Sequence, residues 1–257
     1  MSLSLEVKSE TIASVLVTGA SSGIGAEIAR EFSRKGYFVF LLGRNSEKLK
    51  HVQNTCKGPT EILAFDLKDL ADYQAQILKL IENKPNLEIL VNCAGIFTQS
   101  SFLETSDDTW SEQFEVNLLS AVRLTRLIWP LFIKNKKGSV LNIASTLGLK
   151  PTASTSAYSA SKAAMINWTQ ALAQEGGSNN IRVNCICPGI VDTPIHLFHA
   201  LEDSEKSKIL NDISKLQLLE KIGTPSNIAK SAYFLAGDDS AWTTGSILTV
   251  DGGINIK

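Results

Sequence analysis

Val15-Leu16-Val17-Thr18-Gly19-Ala20-Ser21-Ser22-Gly23-Ile24-Gly25 is the stretch that decides how this chain folds. A short β-branched apolar run predicts a strand, and the glycines that follow predict a tight turn. Ile24, Ile28, Ala29 and Phe32 then fall at helical spacing, and Lys35-Gly36 ends the helix. Strand, glycine turn and helix in that order create a place where backbone N–H groups meet an anion. Glycines at 19, 23 and 25 let the backbone approach a pyrophosphate, and the helix N-terminus faces it. A plain turn between strand and helix is the alternative; the order of elements favours a dinucleotide site.

Outward from that turn the alternation continues. Phe38 to Leu42, Glu61 to Ala64, Leu87 to Val91, Ser139 to Ser145, Ile181 to Ile186 and Ile247 to Val250 read as further strands. A helical stretch runs from Asp69 to Glu82. Thr105 to Asp108 caps a long helix on which Trp110, Phe114, Leu118, Ala121 and Leu124 recur at three and four, and Thr224-Pro225 opens another helix. Strands alternating with helices predict an α/β fold, a Rossmann-type doubly wound sandwich with a mostly parallel seven-stranded sheet covered on both faces. Residues 1–257 read as one domain, because no linker-like composition divides them. Ile190 to Leu219 has mixed charge and weak periodicity, and is expected to form a mobile lid over the substrate.

Composition narrows the function. Apolar residues make up 44% and the net charge is −1, which permits a sizeable core and leaves no electrostatic footprint for nucleic acid or an anionic membrane. Met1 to Ser14 lacks the apolar centre of a signal peptide, and no run approaches the length that spans a bilayer. Cys56, Cys93, Cys185 and Cys187 have no scaffold-like spacing, so reduced thiols and a cytoplasmic location are expected. Cys185 and Cys187 share a strand face, but His51, His196 and His199 add no ligand spacing; the thiols read as buried small hydrophobes and no metal is expected.

The chemistry is concentrated between Ser154 and Ala164. If a helix opens there, Tyr158 and Lys162 project from one face a turn apart, and an ammonium beside a phenol favours the phenolate. A packed ring beside a solvated charge is the ordinary reading of such a pair. Asn92-Cys93-Ala94-Gly95 leaves room for a ligand at the carboxyl end of a strand, and Asn117 interrupts an apolar helix face, so it needs partners. Gly43-Arg44-Asn45 lacks the acid that holds an NAD ribose and offers an arginine for a 2′-phosphate. NADP(H) is therefore expected over NAD(H).

Together these motifs resemble the classical short-chain dehydrogenase/reductase family from about Ser14 to Gly253, with a general likeness to its 3-oxoacyl-[acyl-carrier-protein] reductases. Thr18 to Gly25 is similar to the family's T-G-x-x-x-G-x-G cofactor loop. Asn92-Cys93-Ala94-Gly95 resembles its N-N-A-G, with Cys93 in place of the second asparagine, and Val250-Asp251-Gly252-Gly253 resembles its terminal signature. The resemblance implies a catalytic set of Asn117, Ser145, Tyr158 and Lys162. It also implies cofactor contacts from Gly19, Ser21, Ser22, Gly23, Ile24, Gly25, Arg44, Asp66, Leu67, Asn92, Ala94, Gly95, Pro188, Gly189 and Thr193, besides Tyr158 and Lys162. The implied reaction is hydride transfer between nicotinamide and a carbonyl or secondary alcohol, with tyrosine as acid or base. A non-catalytic dinucleotide sensor on the same fold is the alternative.

Ile96, Phe97, Leu147, Leu149, Ile190, Ile195, Leu197 and Phe198 suggest a largely apolar small-molecule substrate; His196 and His199 read as solvated lid residues, with contact to a polar substrate group as the alternative. Trp110, Phe114, Trp129 and Trp168 lie on the two long helices that the family uses for subunit contacts, which implies a homo-oligomer, dimer or tetramer.

Overall fold

A computed structural model describes residues 12–83, 86–196 and 203–257. Seven parallel strands carry it: β1 (Ser14–Thr18), β2 (Phe38–Gly43), β3 (Thr60–Ala64), β4 (Leu87–Asn92), β5 (Gly138–Ile143), β6 (Ile181–Pro188) and β7 (Ile247–Val250), in the spatial order β3-β2-β1-β4-β5-β6-β7. The chain builds outward from β1 to β3, then crosses back to place β4 on the other side of β1. That reversal opens a crevice at the carboxyl ends of β1 and β4, where a doubly wound sheet binds its ligand.

Helices cover both faces. α1 (Gly23–Arg34) and α8 (Pro225–Ala236) pack on one, burying Ile28, Phe32, Ile228 and Leu235 with Val15, Val17 and Val39. α3 (Leu70–Asn83), α5 (Ser120–Asn135) and α6 (Ser156–Gly176) cover the other, where Tyr73, Ile77, Leu124, Ile128 and Phe132 meet Leu16, Phe40, Leu90 and Val140. Burying apolar surface on both sides explains why the central strands read as continuous hydrophobic runs.

Three features depart from the sequence-based expectation. A short helix, α2 (Ser46–Gln53), lies between β2 and β3; it buries only Leu49 and Val52, too few positions to show a period, and Asn45 caps it by accepting from Lys48 N. Within the expected lid lies α7 (Asp203–Ser214), again weakly amphipathic. The side chain of His196, and Leu197, Phe198 and His199, fall outside the described residues.

The third departure is in the long helix. It runs as α4 (Asp107–Phe114), a π-helical turn (Glu115–Leu119) and α5, and the wider turn rotates the inward face. Gln113 and Asn117 are fully buried, whereas Trp110, Phe114 and Leu118 are only partly so. The combined helix, Asp107–Asn135, is long and apolar enough to cross a membrane, which corrects the expectation that no run is. Its apolar side is turned to the sheet through Leu124, Ile128, Leu131 and Phe132, as in a core helix.

One polar anchor fixes α8. Arg182 on β6 donates to the carbonyls of Leu235, Ala236 and Gly237 at 2.7–2.9 Å, to Thr243 O and to Ser240 Oγ, satisfying the open end of the helix. Arg182→Met keeps the stem and strands those acceptors. A loss of about 3 kcal/mol is expected, lowering Tm by roughly 6–12 °C in calorimetry.

Candidate active site

A cleft of about 990 Å³ follows the carboxyl rim of the sheet. Its floor is the turn between β1 and α1, where Gly19 and Gly23 take left-handed backbone angles, φ +66° and +53°. A Cβ on Gly25 would stand 2.4 Å from Gly19 O, so the turn closes only without a side chain there. Thr18 Oγ1 accepts from the backbone N–H groups of Cys93 and Ala94 at 2.9 and 3.0 Å, fastening the end of β4 to β1. The tether uses backbone at position 93, so cysteine serves there.

Most of the expected cofactor contacts line this cleft: Gly19, Ser21, Ser22, Gly23, Ile24, Gly25, Arg44, Asp66, Leu67, Ala94, Gly95, Pro188, Gly189 and Thr193. Asn92 does not. Its side chain turns into the sheet, donating to Thr125 Oγ1 at 3.1 Å and Asn142 Oδ1 at 2.9 Å, a structural bridge between β4, β5 and α5. At the cleft's outer end Arg44 lies 3.6 Å from Asp66, whose other oxygen accepts from Lys68 N at 3.0 Å. A contiguous cavity of about 570 Å³ is lined by Ser21, Ser22, Arg44, Asn45 and Lys48. Lys48 was not singled out from sequence, because its place depends on the unforeseen helix α2.

At the inner end the four residues of the expected catalytic set converge. Tyr158 stands in the first turn of α6 and hydrogen-bonds Ser145, two residues past the end of β5. Lys162, one turn on, donates from Nζ to Ile143 O at 2.9 Å and sits 5.8 Å from the centre of the Tyr158 ring. Asn117 does not line the cleft; it lies beneath, with Oδ1 accepting from Ile96 N at 2.8 Å. A Cβ on Gly95 would come 3.1 Å from that Oδ1 and 3.5 Å from Lys162 Nζ, so the two groups face one small gap.

Electrostatics at the site run against one expectation. Burial pushes the Tyr158 phenol up to about 12, only partly offset by its hydrogen bond to Ser145. Burial likewise lowers the Lys162 ammonium. The amine does not offset that rise, because it is spent on a backbone carbonyl and itself desolvated. Cys185 and Cys187 are fully buried against Ala121, Ala144, Met165 and Ile166, behaving as small hydrophobes.

The substrate side is apolar. Ile96, Phe97, Leu147, Ile190 and Ile195 line the cleft, joined by Ile213, Leu216 and Ile254, and the Phe97 ring meets Tyr158 edge-on at 4.8 Å. Leu149, expected among them, is exposed outside the cleft lining.

Residues 19–255 match the family model described as enoyl-(acyl carrier protein) reductase. The chain belongs to the short-chain dehydrogenase/reductase family. It is 35% identical over 243 residues to the 3-oxoacyl-[acyl-carrier-protein] reductase FabG of Chlamydia trachomatis, covering 93% of this chain and 96% of that one. It is 32% identical over 244 residues to an acetoacetyl-CoA reductase of Acinetobacter, with 93% and 96% covered. The solved structure described as ElxO with NADP bound superimposes with a TM-score of 0.88 at 28% identity, covering 96% of this chain and all of that one. As a member of this family with reductases among its relatives, the protein is an oxidoreductase acting on C=O or CH–OH groups.

Proposed function

We propose that this enzyme reduces a carbonyl on a largely apolar substrate with NADPH, Tyr158 acting as the general acid. The observation that carries the reading is the convergence of Tyr158, Ser145 and Lys162 at the inner end of a cleft whose outer end presents Arg44 and Lys48. The residues suit a phosphorylated dinucleotide: two cations and two serines surround the outer cavity, with no carboxylate among its described lining residues. Bound there, the dinucleotide would supply the hydride.

The chain's own groups then have distinct tasks. The buried phenol keeps its proton at neutral pH, which suits donation to a carbonyl oxygen. Ser145 donates to that oxygen as charge develops. Lys162 orients the nicotinamide ribose, and with Asn117 it borders the gap at Gly95, where a water can return the proton. From the expected lid, Ile190, Ile195, Ile213 and Leu216 line the cleft and would cover the substrate.

The test is NADPH absorbance with a panel of ketones and 3-oxoacyl thioesters, the latter chosen because two relatives carry such names. Dinucleotide binding without turnover of any of them would favour the sensor instead. Arg44→Ala is expected to weaken NADPH binding roughly 10- to 100-fold and leave NADH unchanged; equal affinities before and after would remove the NADP preference. The same reading gives a cytoplasmic homo-oligomer: Cys56, Cys93, Cys185 and Cys187 are free thiols, and Trp110, Phe114, Trp129 and Trp168 are only partly buried by the chain itself. Light scattering should find a dimer or tetramer, and a monomer would overturn it.

A further inference from the structure

Gln113 is a polar side chain with no exposed surface, and the proposed reaction gives it no task. It lies one turn before Asn117 on the same helix face, and the two amides together grip the loop that follows β4. Asn117 takes one end: its Oδ1 accepts from Ile96 N at 2.8 Å and its Nδ2 donates to Ile96 O at 3.1 Å. Because the Ile96 N–H can only donate, the orientation of Asn117 is fixed, and its Nδ2 has Ile96 O, Ser161 Oγ at 3.1 Å and the Gln113 amide at 2.8 Å within reach. The other end of the Gln113 amide lies 3.0 Å from Thr98 Oγ1, and the hydroxyl can accept from the amide nitrogen or donate to the amide oxygen. Between these two holds lies Phe97, whose ring stands edge-on to Tyr158.

We propose that Gln113 is a positioning residue for substrate: by holding Thr98 it fixes the Phe97 ring against the ring of Tyr158, and it adds a partner for the Asn117 amide. This rests on the reductase reading. Beyond Thr98 the next backbone hold on the loop is Ser100 N to Ser154 O at 3.0 Å, so losing the amide frees the stretch that faces the reacting groups. The phosphate turn and the Arg44 end of the cleft are built from other elements. Substrate handling and dinucleotide affinity should therefore separate.

Gln113→Leu keeps the volume and deletes both bonds; Thr98→Val deletes one of them from the other side. Each should lower kcat/KM for the best substrate of the panel roughly 10- to 100-fold, with the NADPH dissociation constant changed less than about threefold. The double variant should fall no further than Gln113→Leu, since both changes break the same contact. Hydrogen exchange of the peptide spanning residues 96–103 should accelerate at least about tenfold in Gln113→Leu, while peptides from β1 and β5 keep their rates.

Unchanged exchange in 96–103, or acceleration spread equally over β1 and β5, would overturn the proposal whether or not any substrate is found. So would additive losses in the double variant. Absence of turnover in the unmodified protein would instead count against the reductase reading, leaving the exchange result to decide the role of Gln113.

Discussion

Tyr158→Phe is expected to bind NADPH as the unmodified protein does and to lose about 10²–10⁴-fold in turnover. The substitution removes one oxygen from a ring already packed against Phe97, so the site keeps its shape and loses its proton donor. Stopped-flow or steady-state absorbance measures the loss, and turnover within a few-fold of the parent would end the assignment. The same variant supplies a pH test. An exposed phenol ionises near pH 10, whereas Tyr158 is pushed up to about 12 by burial. A raised folded-state value means that the stability carried by the neutral phenol is complete below about pH 10 and is lost as pH climbs through 12. Relative to Tyr158→Phe, the parent should therefore lose stability only above pH 10, and its difference spectrum should show one phenol titrating late.

Gly25→Ala is expected to weaken dinucleotide binding about 100-fold or more and to destabilise the fold by about 1–3 kcal/mol. The added carbon would lie 2.4 Å from Gly19 O, 2.7 Å from Gly19 C and 3.1 Å from Thr18 O, all backbone. The turn cannot back away, since the Cβ direction of Gly19 already meets Ala94 Cα at 2.9 Å. Gly36→Ala is the matched control: it too has positive φ, +87°, but nothing within 4 Å, so it should cost about 1 kcal/mol and leave affinity alone. Titration calorimetry distinguishes them. Equal affinity in Gly25→Ala and the parent would show that the turn does not cradle phosphate.

Repeating local patterns are what made most of this legible. Seven apolar runs gave seven strands because both sheet faces are buried, and the glycine turn announced the crevice because a backbone that approaches an anion cannot carry side chains. What escaped has a common physical cause, namely dependence on a neighbour. Helix α2 buries only two side chains, so Lys48 was not placed beside Arg44. The wider turn at Glu115–Leu119 has no sequence mark of its own; it hid the inward aim of Gln113 while Trp110 and Phe114 offered a plausible apolar face. Asn92 was recognised as part of a motif but not as a bond to Asn142, because that bond joins residues fifty positions apart. The effect of Lys162 on Tyr158 could not be read from spacing alone, since burial outweighs proximity.

The strand order bears on how the molecule is made. β1 leaves the ribosome before every other strand, yet it ends inside the sheet, and its partner on one side, Leu87–Asn92, is translated some seventy residues later. Until then a nascent chain holding β1, β2 and β3 has the carboxyl-side crevice half built and β1 as a bare apolar edge. Long-range parallel pairing is slow, and such edges invite association with other chains. Synthesis arrested between β3 and β4 should thus yield the most aggregation-prone fragment, and a chaperone that shields β1 for that interval would protect the nucleotide crevice before it exists.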